Sequence, residues 1–161
     1  MFRRNQVLQA ATTPVRGYAS GVAVNSGDNV NVNLLVHDNA FVLDDVAGGG
    51  GTAVLAGGST GVFQVRVINN TILHAYYAAA FSPNASGRFD NNVLAFGFRM
   101  HEGSAPAASF TQRGNLIFGY PNASNWPTAP GTLTVDPLLS ANGLPRTGSP
   151  VIDVGSTAAR G

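Results

Sequence analysis

The sequence predicts an all-β solenoid, on three observations. The stretch from Phe63 to Leu73 alternates Val65 and Val67 with polar Gln64 and Arg66, breaks at Asn69 and Asn70, and resumes with Ile72 and Leu73, which reads as strand, tight turn, strand. Versions of this unit recur around Asn39, Asn70, Asn92 and Asn115, at separations of 31, 22 and 23 residues. Composition agrees, because charged residues make up only 11% of the chain and glycine numbers 20, far from a helical bundle and close to tightly turned β proteins.

Aligned on those asparagines, the unit shows columns. Two positions after the asparagine stand Phe41, Ile72, Leu94 and Ile117; three before it, Val36, Val67, Phe89 and Gln112; five before it, Leu34, Val65, Gly87 and Phe110. All but Gly87 and Gln112 are large and apolar. A unit this short cannot bury its apolar side alone and has to stack on its neighbours. The rival β-sandwich spaces its strands by about 8–12 residues and does not predict one asparagine-centred unit every 22 or 23. The leucine pattern of a leucine-rich repeat is absent.

In chain order, residues 1–28 read as a degenerate N-terminal coil or frayed edge. Thr13-Pro-Val-Arg-Gly-Tyr and Gly21-Val-Ala-Val are weak strand material without an evident asparagine anchor, and Met1 to Arg4 runs into Asn5 and Gln6 instead of the apolar core of a signal peptide. Residues 29–119 are the coils, and the glycine-rich insertion 46–61 explains the long first gap as a loop that leaves the stack. An apolar stretch with Tyr76 and Tyr77 ends in the turn Phe81-Ser-Pro-Asn-Ala-Ser-Gly. The next rung is Arg88 to Phe96, Phe98 to Ser109 reads as a protruding loop, and Phe110 to Phe118 is the last rung with an asparagine. Residues 120–161 turn rich in Pro, Asn, Ser and Thr around Trp126 and read as an irregular C-terminal cap. Within it Pro137 and Pro150 lack the N–H that would extend a sheet edge.

Short strands, a turn asparagine once per coil and no helical period resemble the right-handed single-stranded parallel β-helix of the pectate-lyase-like family. The resemblance runs from about Asn29 to Gly155, with about four to five coils and an irregular cap. Val135-Asp-Pro-Leu-Leu, then Leu144, then Gly148-Ser-Pro-Val-Ile-Asp-Val-Gly-Ser is similar to the closing sequence of many bacterial β-helix domains. The resemblance implies right-handed crossovers and an inward structural ladder of Asn39, Asn70, Asn92 and Asn115, a residue that tolerates left-handed backbone and both donates and accepts. It also implies a secreted or cell-surface bacterial protein. Because the cap closes one end, the expectation is the C-terminal portion of a longer β-helix, meeting upstream coils or self-associating through an open N-terminal edge.

Charge excludes little else. All nine basic residues are arginine, Glu102 is the one glutamate, and the formal net charge is +1, which gives no electrostatic case for nucleic acid. No apolar run reaches the roughly 18 residues of a membrane span. With no cysteine, disulfides and thiolate metal sites are out.

Candidate chemistry lies on the strand before the turn. Its outward positions form two columns, Leu35, Arg66, Arg88 and Thr111 beside His37, Ile68, Asp90 and Arg113. Parallel strands lie about 4.8 Å apart, so Arg66, Arg88, Asp90, Arg113 and His37 make a candidate substrate-binding face for an extended acidic polysaccharide, whose carboxylates match guanidinium forks. The competing reading is a solvated face whose ion pairs contribute about 0–1 kcal/mol. Resemblance to polysaccharide lyases implies calcium held by clustered carboxylates, yet Asp44 and Asp45 are neighbours that point to opposite strand faces, and Asp38 or Asp90 would have to be recruited. The expectation is therefore no metal and no other cofactor, with Ca2+ as the outside alternative. Seven aspartates, of which Asp136 and Asp153 belong to the cap, supply little for a polygalacturonase-type hydrolase.

Three further sites carry two readings each. His74 aligns with Leu43 and Phe96 and reads as a partly buried, hydrogen-bonded residue. His101 and Glu102 make an acid–base pair without a nucleophile, better read as a surface loop. Tyr76, Tyr77 and Trp126 stack on sugar rings or pack the core. The functional expectation is a non-catalytic β-helix scaffold or carbohydrate-contacting adhesion module. The alternative is a polysaccharide lyase or glycoside hydrolase of the pectate-lyase-like group, for which no catalytic residue can be assigned.

Overall fold

The computed structural model describes residues 1–9, 20–26, 30–43, 51–102, 110–122, 126 and 129–152. Among them there is no helix; the strands form three sheets, and every pairing between strands is parallel. The chain visits sheets A, B and C in turn. Coil 1 supplies β1 (Phe2–Arg3), β2 (Gln6–Gln9) and β3 (Ser20–Ser26); coil 2 supplies β4 (Val32–His37), β5 (Ala40–Leu43) and β6 (Thr52–Gly58). Coil 3 gives β7 (Phe63–Ile68), β8 (Thr71–Leu73) and β9 (Tyr77–Phe81), and coil 4 gives β10 (Ala85–Asp90), β11 (Val93–Ala95) and β12 (Arg99–His101). Coil 5 ends the series with β13 (Phe110–Arg113) and β14 (Leu116–Phe118). Sheet A is β1-β4-β7-β10-β13, sheet B is β2-β5-β8-β11-β14 and sheet C is β3-β6-β9-β12, an arrangement consistent with a β-helix-like solenoid.

The period-two pattern explains sheet A. In β7 the side chains of Phe63, Val65 and Val67 are buried while Gln64 and Arg66 are exposed, and the pairing puts Val36, Val67, Phe89 and Gln112 in one column and Leu34, Val65, Gly87 and Phe110 in another. Both polar or empty members of these columns have a reason. Gly87 has a φ of 148°, and a Cβ there would stand 1.8 Å from the Val65 carbonyl oxygen, so only glycine fits. Gln112 accepts a hydrogen bond from the indole N–H of Trp126. Trp126 is buried against Phe81, Phe89 and His101 and packs the core beside coils 4 and 5.

Between sheets A and B each coil turns on two residues. The first has left-handed backbone: Arg4 (φ 54°), Asp38 (56°), Asn69 (56°), Asn91 (54°) and Gly114 (60°). The second is an asparagine, Asn5, Asn39, Asn70, Asn92 or Asn115. The left-handed residue thus precedes the ladder asparagine, contrary to the expectation that the ladder residue itself takes that conformation. Each of the first four donates twice to the next coil's Oδ1, through its backbone N–H and its Nδ2: Asn5 to Asn39 at 3.0 and 3.2 Å, Asn39 to Asn70 at 3.1 and 3.0 Å, Asn70 to Asn92 at 2.9 and 3.0 Å, and Asn92 to Asn115 at 2.9 and 3.2 Å. The remaining Nδ2 hydrogens go to backbone carbonyls, for example Asn70 to Ile68 and Asn115 to Phe89. The series ends at Thr132, whose neighbour Leu133 donates to the Asn115 carbonyl as Leu116 does to that of Asn92; the Thr132 hydroxyl is buried without a partner among the described residues.

Several sequence expectations are corrected. Of the two readings of residues 1–28, the described residues form a coil and not a frayed edge: β1, β2 and β3 add a strand to every sheet, and the anchor missed in the sequence is Asn5, which begins the ladder. Within the supposed loop 46–61, Thr52–Gly58 is a central strand of sheet C, because small Ala and Val side chains can pack there; the extra length of coil 2 falls between β5 and β6. The Phe98–Ser109 segment opens with β12 instead of a loop. The cap segment does not simply cover the end of the stack. Residues 138–146 form a hairpin closed by Arg146 N–H to Leu138 carbonyl and Ser140 N–H to Leu144 carbonyl, and its tip at Gly143 rests on Thr71, Leu73 and Val42 of sheet B. The two halves of the closing motif are joined, with the Ser149 hydroxyl donating to the Pro137 carbonyl at 2.5 Å. Covering apolar positions of sheet B favours this fold-back.

The ladder makes the two residues of one turn energetically unlike. Asn70→Ala is expected to cost about 1–3 kcal/mol, because it orphans buried partners, whereas Asn69→Gly relaxes a left-handed residue and leaves stability within about 1 kcal/mol of the parent. Urea unfolding of the two variants checks the contrast.

Candidate functional site

The outer face of sheet A is polar and in register. Asn33, Gln64 and Ser86 form one column, with Gln64 Nε2 donating to Ser86 Oγ at 2.8 Å. Leu35, Arg66, Arg88 and Thr111 form the next, and His37, Ile68, Asp90 and Arg113 the one that borders the turn. The predicted residues Arg66, Arg88, Asp90, Arg113 and His37 are therefore brought together in two adjacent columns of sheet A. Arg66 and Arg113 are exposed, and among the described residues neither side chain has a hydrogen bond or ion pair. They stand two coils apart, about 10 Å along the stack.

The other three are engaged. Arg88 places Nε 2.8 Å and Nη2 2.7 Å from Asp90 Oδ2, with the Arg88 side chain one-third exposed and that of Asp90 2%. Asp90 is thus not an outward, solvated carboxylate: it sits two residues after Arg88 on the same side of one strand and is covered by it. Its Oδ1 is buried without a partner among the described residues. Ile68, in the same column, is also buried. His37 Nδ1 lies 3.0 Å from Asp38 Oδ2, at the corner of the turn. What remains for a ligand is a pair of open guanidinium groups on a registered face, with hydroxyl and amide groups beside them.

The remaining candidates fall elsewhere. His101 ends β12 inside the fold and is buried, so it is not on a surface loop. Its Nε2 accepts the Phe81 N–H at 2.9 Å, a bond that needs the unprotonated nitrogen and holds the ring against Phe81 and Trp126. Glu102 beside it is half-buried. The His74 ring is half-buried, as its alignment with Leu43 and Phe96 suggested, and stacks on Phe96 with centroids 5.6 Å apart; among the described residues its ring makes no hydrogen bond. Tyr76 stacks on Phe98 at 4.6 Å and meets Tyr77 edge-on, so these rings spend faces on one another. Tyr120, which sequence reasoning passed over, is buried with its ring over Gly97, where a Cβ would come within 2.2 Å of it; burial pushes its hydroxyl well above the ordinary range. Asp44 and Asp45 lie outside the described residues, and among the described ones no three His, Asp or Glu side chains gather.

The ion pair predicts an asymmetry. Arg88→Ala leaves a buried carboxylate without its cation and is expected to cost about 3 kcal/mol, whereas Asp90→Ala leaves an arginine that reaches water and costs about 1 kcal/mol; chemical denaturation of both variants measures the difference. Compared with known proteins, the chain matches no family model, no curated protein and no solved structure.

Proposed function

We propose that this chain is a right-handed single-stranded parallel β-helix of the pectate-lyase-like kind. In this reading it is a non-catalytic, secreted or surface-borne scaffold that contacts acidic polysaccharide through the outer face of sheet A. Parallel strands joined coil by coil support the handedness through the crossover rule. The contact rests on one observation: Arg66 and Arg113 are open on a registered face whose own carboxylate, Asp90, is neutralised by Arg88. Two unpaired guanidinium groups on a rigid support lose little freedom on meeting carboxylates spaced along a polymer.

Affinity electrophoresis in gels containing polygalacturonate or a neutral dextran tests this. The protein is expected to be retarded by polygalacturonate in a salt-sensitive way. The Arg66→Ala, Arg113→Ala double variant is expected to lose at least about tenfold in affinity, since two charge-assisted contacts go, with its thermal midpoint unchanged. Equal retardation of the double variant, or release of unsaturated or reducing sugar from the polymer, contradicts the reading.

A further inference from the structure

A second site lies round the corner from sheet A. Between the tip of the 138–146 hairpin and the turns of coils 1 to 3 is a cleft of about 480 Å³, within the range of small-molecule sites. Arg4, Asp38 and Asn69 line one wall, and Asn142, Leu144 and Pro145 line the other.

The turn residues make the case. Arg4, Asp38 and Asn69 all hold left-handed backbone, with φ of 54°, 56° and 56°. Glycine takes that conformation without strain, and the same turn column carries Gly114 in coil 5 and Gly131 beyond it. The column also carries Asn91 in coil 4, outside the cleft, so side chains persist from coil 1 to coil 4 and give way to glycine only at the far end. Arg4 is the most telling, because arginine gains none of the local hydrogen bonding that lets Asn and Asp tolerate this conformation.

These side chains are also open. Among the described residues, Arg4 and Asn69 make no side-chain hydrogen bond or ion pair. Asp38 spends Oδ2 on His37, which leaves Oδ1, and Asn142 accepts from Ser140 through Oδ1, which leaves its Nδ2 hydrogens. Leu144, 60% exposed, and Pro145 supply an apolar surface. One cation, one anion, two amides and an apolar wall suit a ring that carries hydroxyls and a C–H face and no net charge, since each hydroxyl both donates and accepts.

We infer that this cleft binds one neutral pyranose residue of a glycan. The inference rests on the carbohydrate-contacting reading for its ligand class but not on the sheet A face.

The test is an NMR titration of the full chain with the methyl glycosides of glucose, galactose and mannose, with alanine as a zwitterionic control. One of the glycosides is expected to shift the Asn69 and Gly143 amides saturably. Arg4→Gly and Asn69→Gly, which relax the turn and so keep the fold, are each expected to weaken binding at least tenfold without lowering the thermal midpoint. The Arg66→Ala, Arg113→Ala double variant is expected to bind the glycoside as the parent does, which separates failure of the sheet A face from failure of the cleft. No saturable shift with any of the three glycosides, undiminished affinity in the glycine variants, or saturation by alanine in place of the glycosides overturns the proposal.

Discussion

The buried asparagine amide is the constraint on which the rest of the structure depends. An unsatisfied buried amide is costly, and those of Asn39, Asn70 and Asn92 are satisfied only if the next coil presents its own Oδ1 about 3 Å away. That condition sets the rise and the register between coils at one corner. From there the strands of sheets A and B run in register on either side, and the inward columns of valine, leucine, isoleucine and phenylalanine follow from alternation alone.

Pinning one corner leaves the others free to vary. Coil 2 carries its extra residues between β5 and β6 while its strands stay paired to coil 3. The core is mixed along the stack, with Phe41 and Phe63 buried among the aliphatic side chains of coils 2 and 3, and Phe81, Phe89, Phe110 and Trp126 meeting as an aromatic group farther on. The same regularity produces the outer surface: residues at equivalent positions of successive coils stand side by side, which is how Arg66 and Arg88 become neighbours on sheet A and how Arg4, Asp38 and Asn69 come to line one cleft wall. Both proposed sites draw on such columns, the cleft together with the tip of the C-terminal hairpin.

The columns of sheets A and B were legible in the sequence because large apolar residues at fixed offsets from an asparagine leave a strong contrast. Asn5 was passed over although Phe2 and Val7 fill the offsets of three before and two after; the 34 residues that separate it from Asn39 hid the repeat. Sheet C was poorly legible, because strands built on Ala53, Ala56, Ala78 and Ala79 look like glycine-rich loop. Alternation assigned Asp90 to the outside but could not show Arg88 folded over it. The cleft was invisible, since it exists only once the C-terminal hairpin returns to coils 1 to 3, a contact with no periodic trace.

The measurement that bears most directly on this account is amide hydrogen exchange at the ladder. The backbone N–H groups of Asn39, Asn70 and Asn92 donate to side-chain oxygens of the next coil and not to a regular strand partner. If the ladder sets the register, these amides exchange only through global unfolding, as slowly as Val65 and Val67 in the core. Exchange at the pace of Val62, whose N–H is bonded to Asn31 on the exposed opposite corner, would show that the stack holds together without the ladder and would contradict the account.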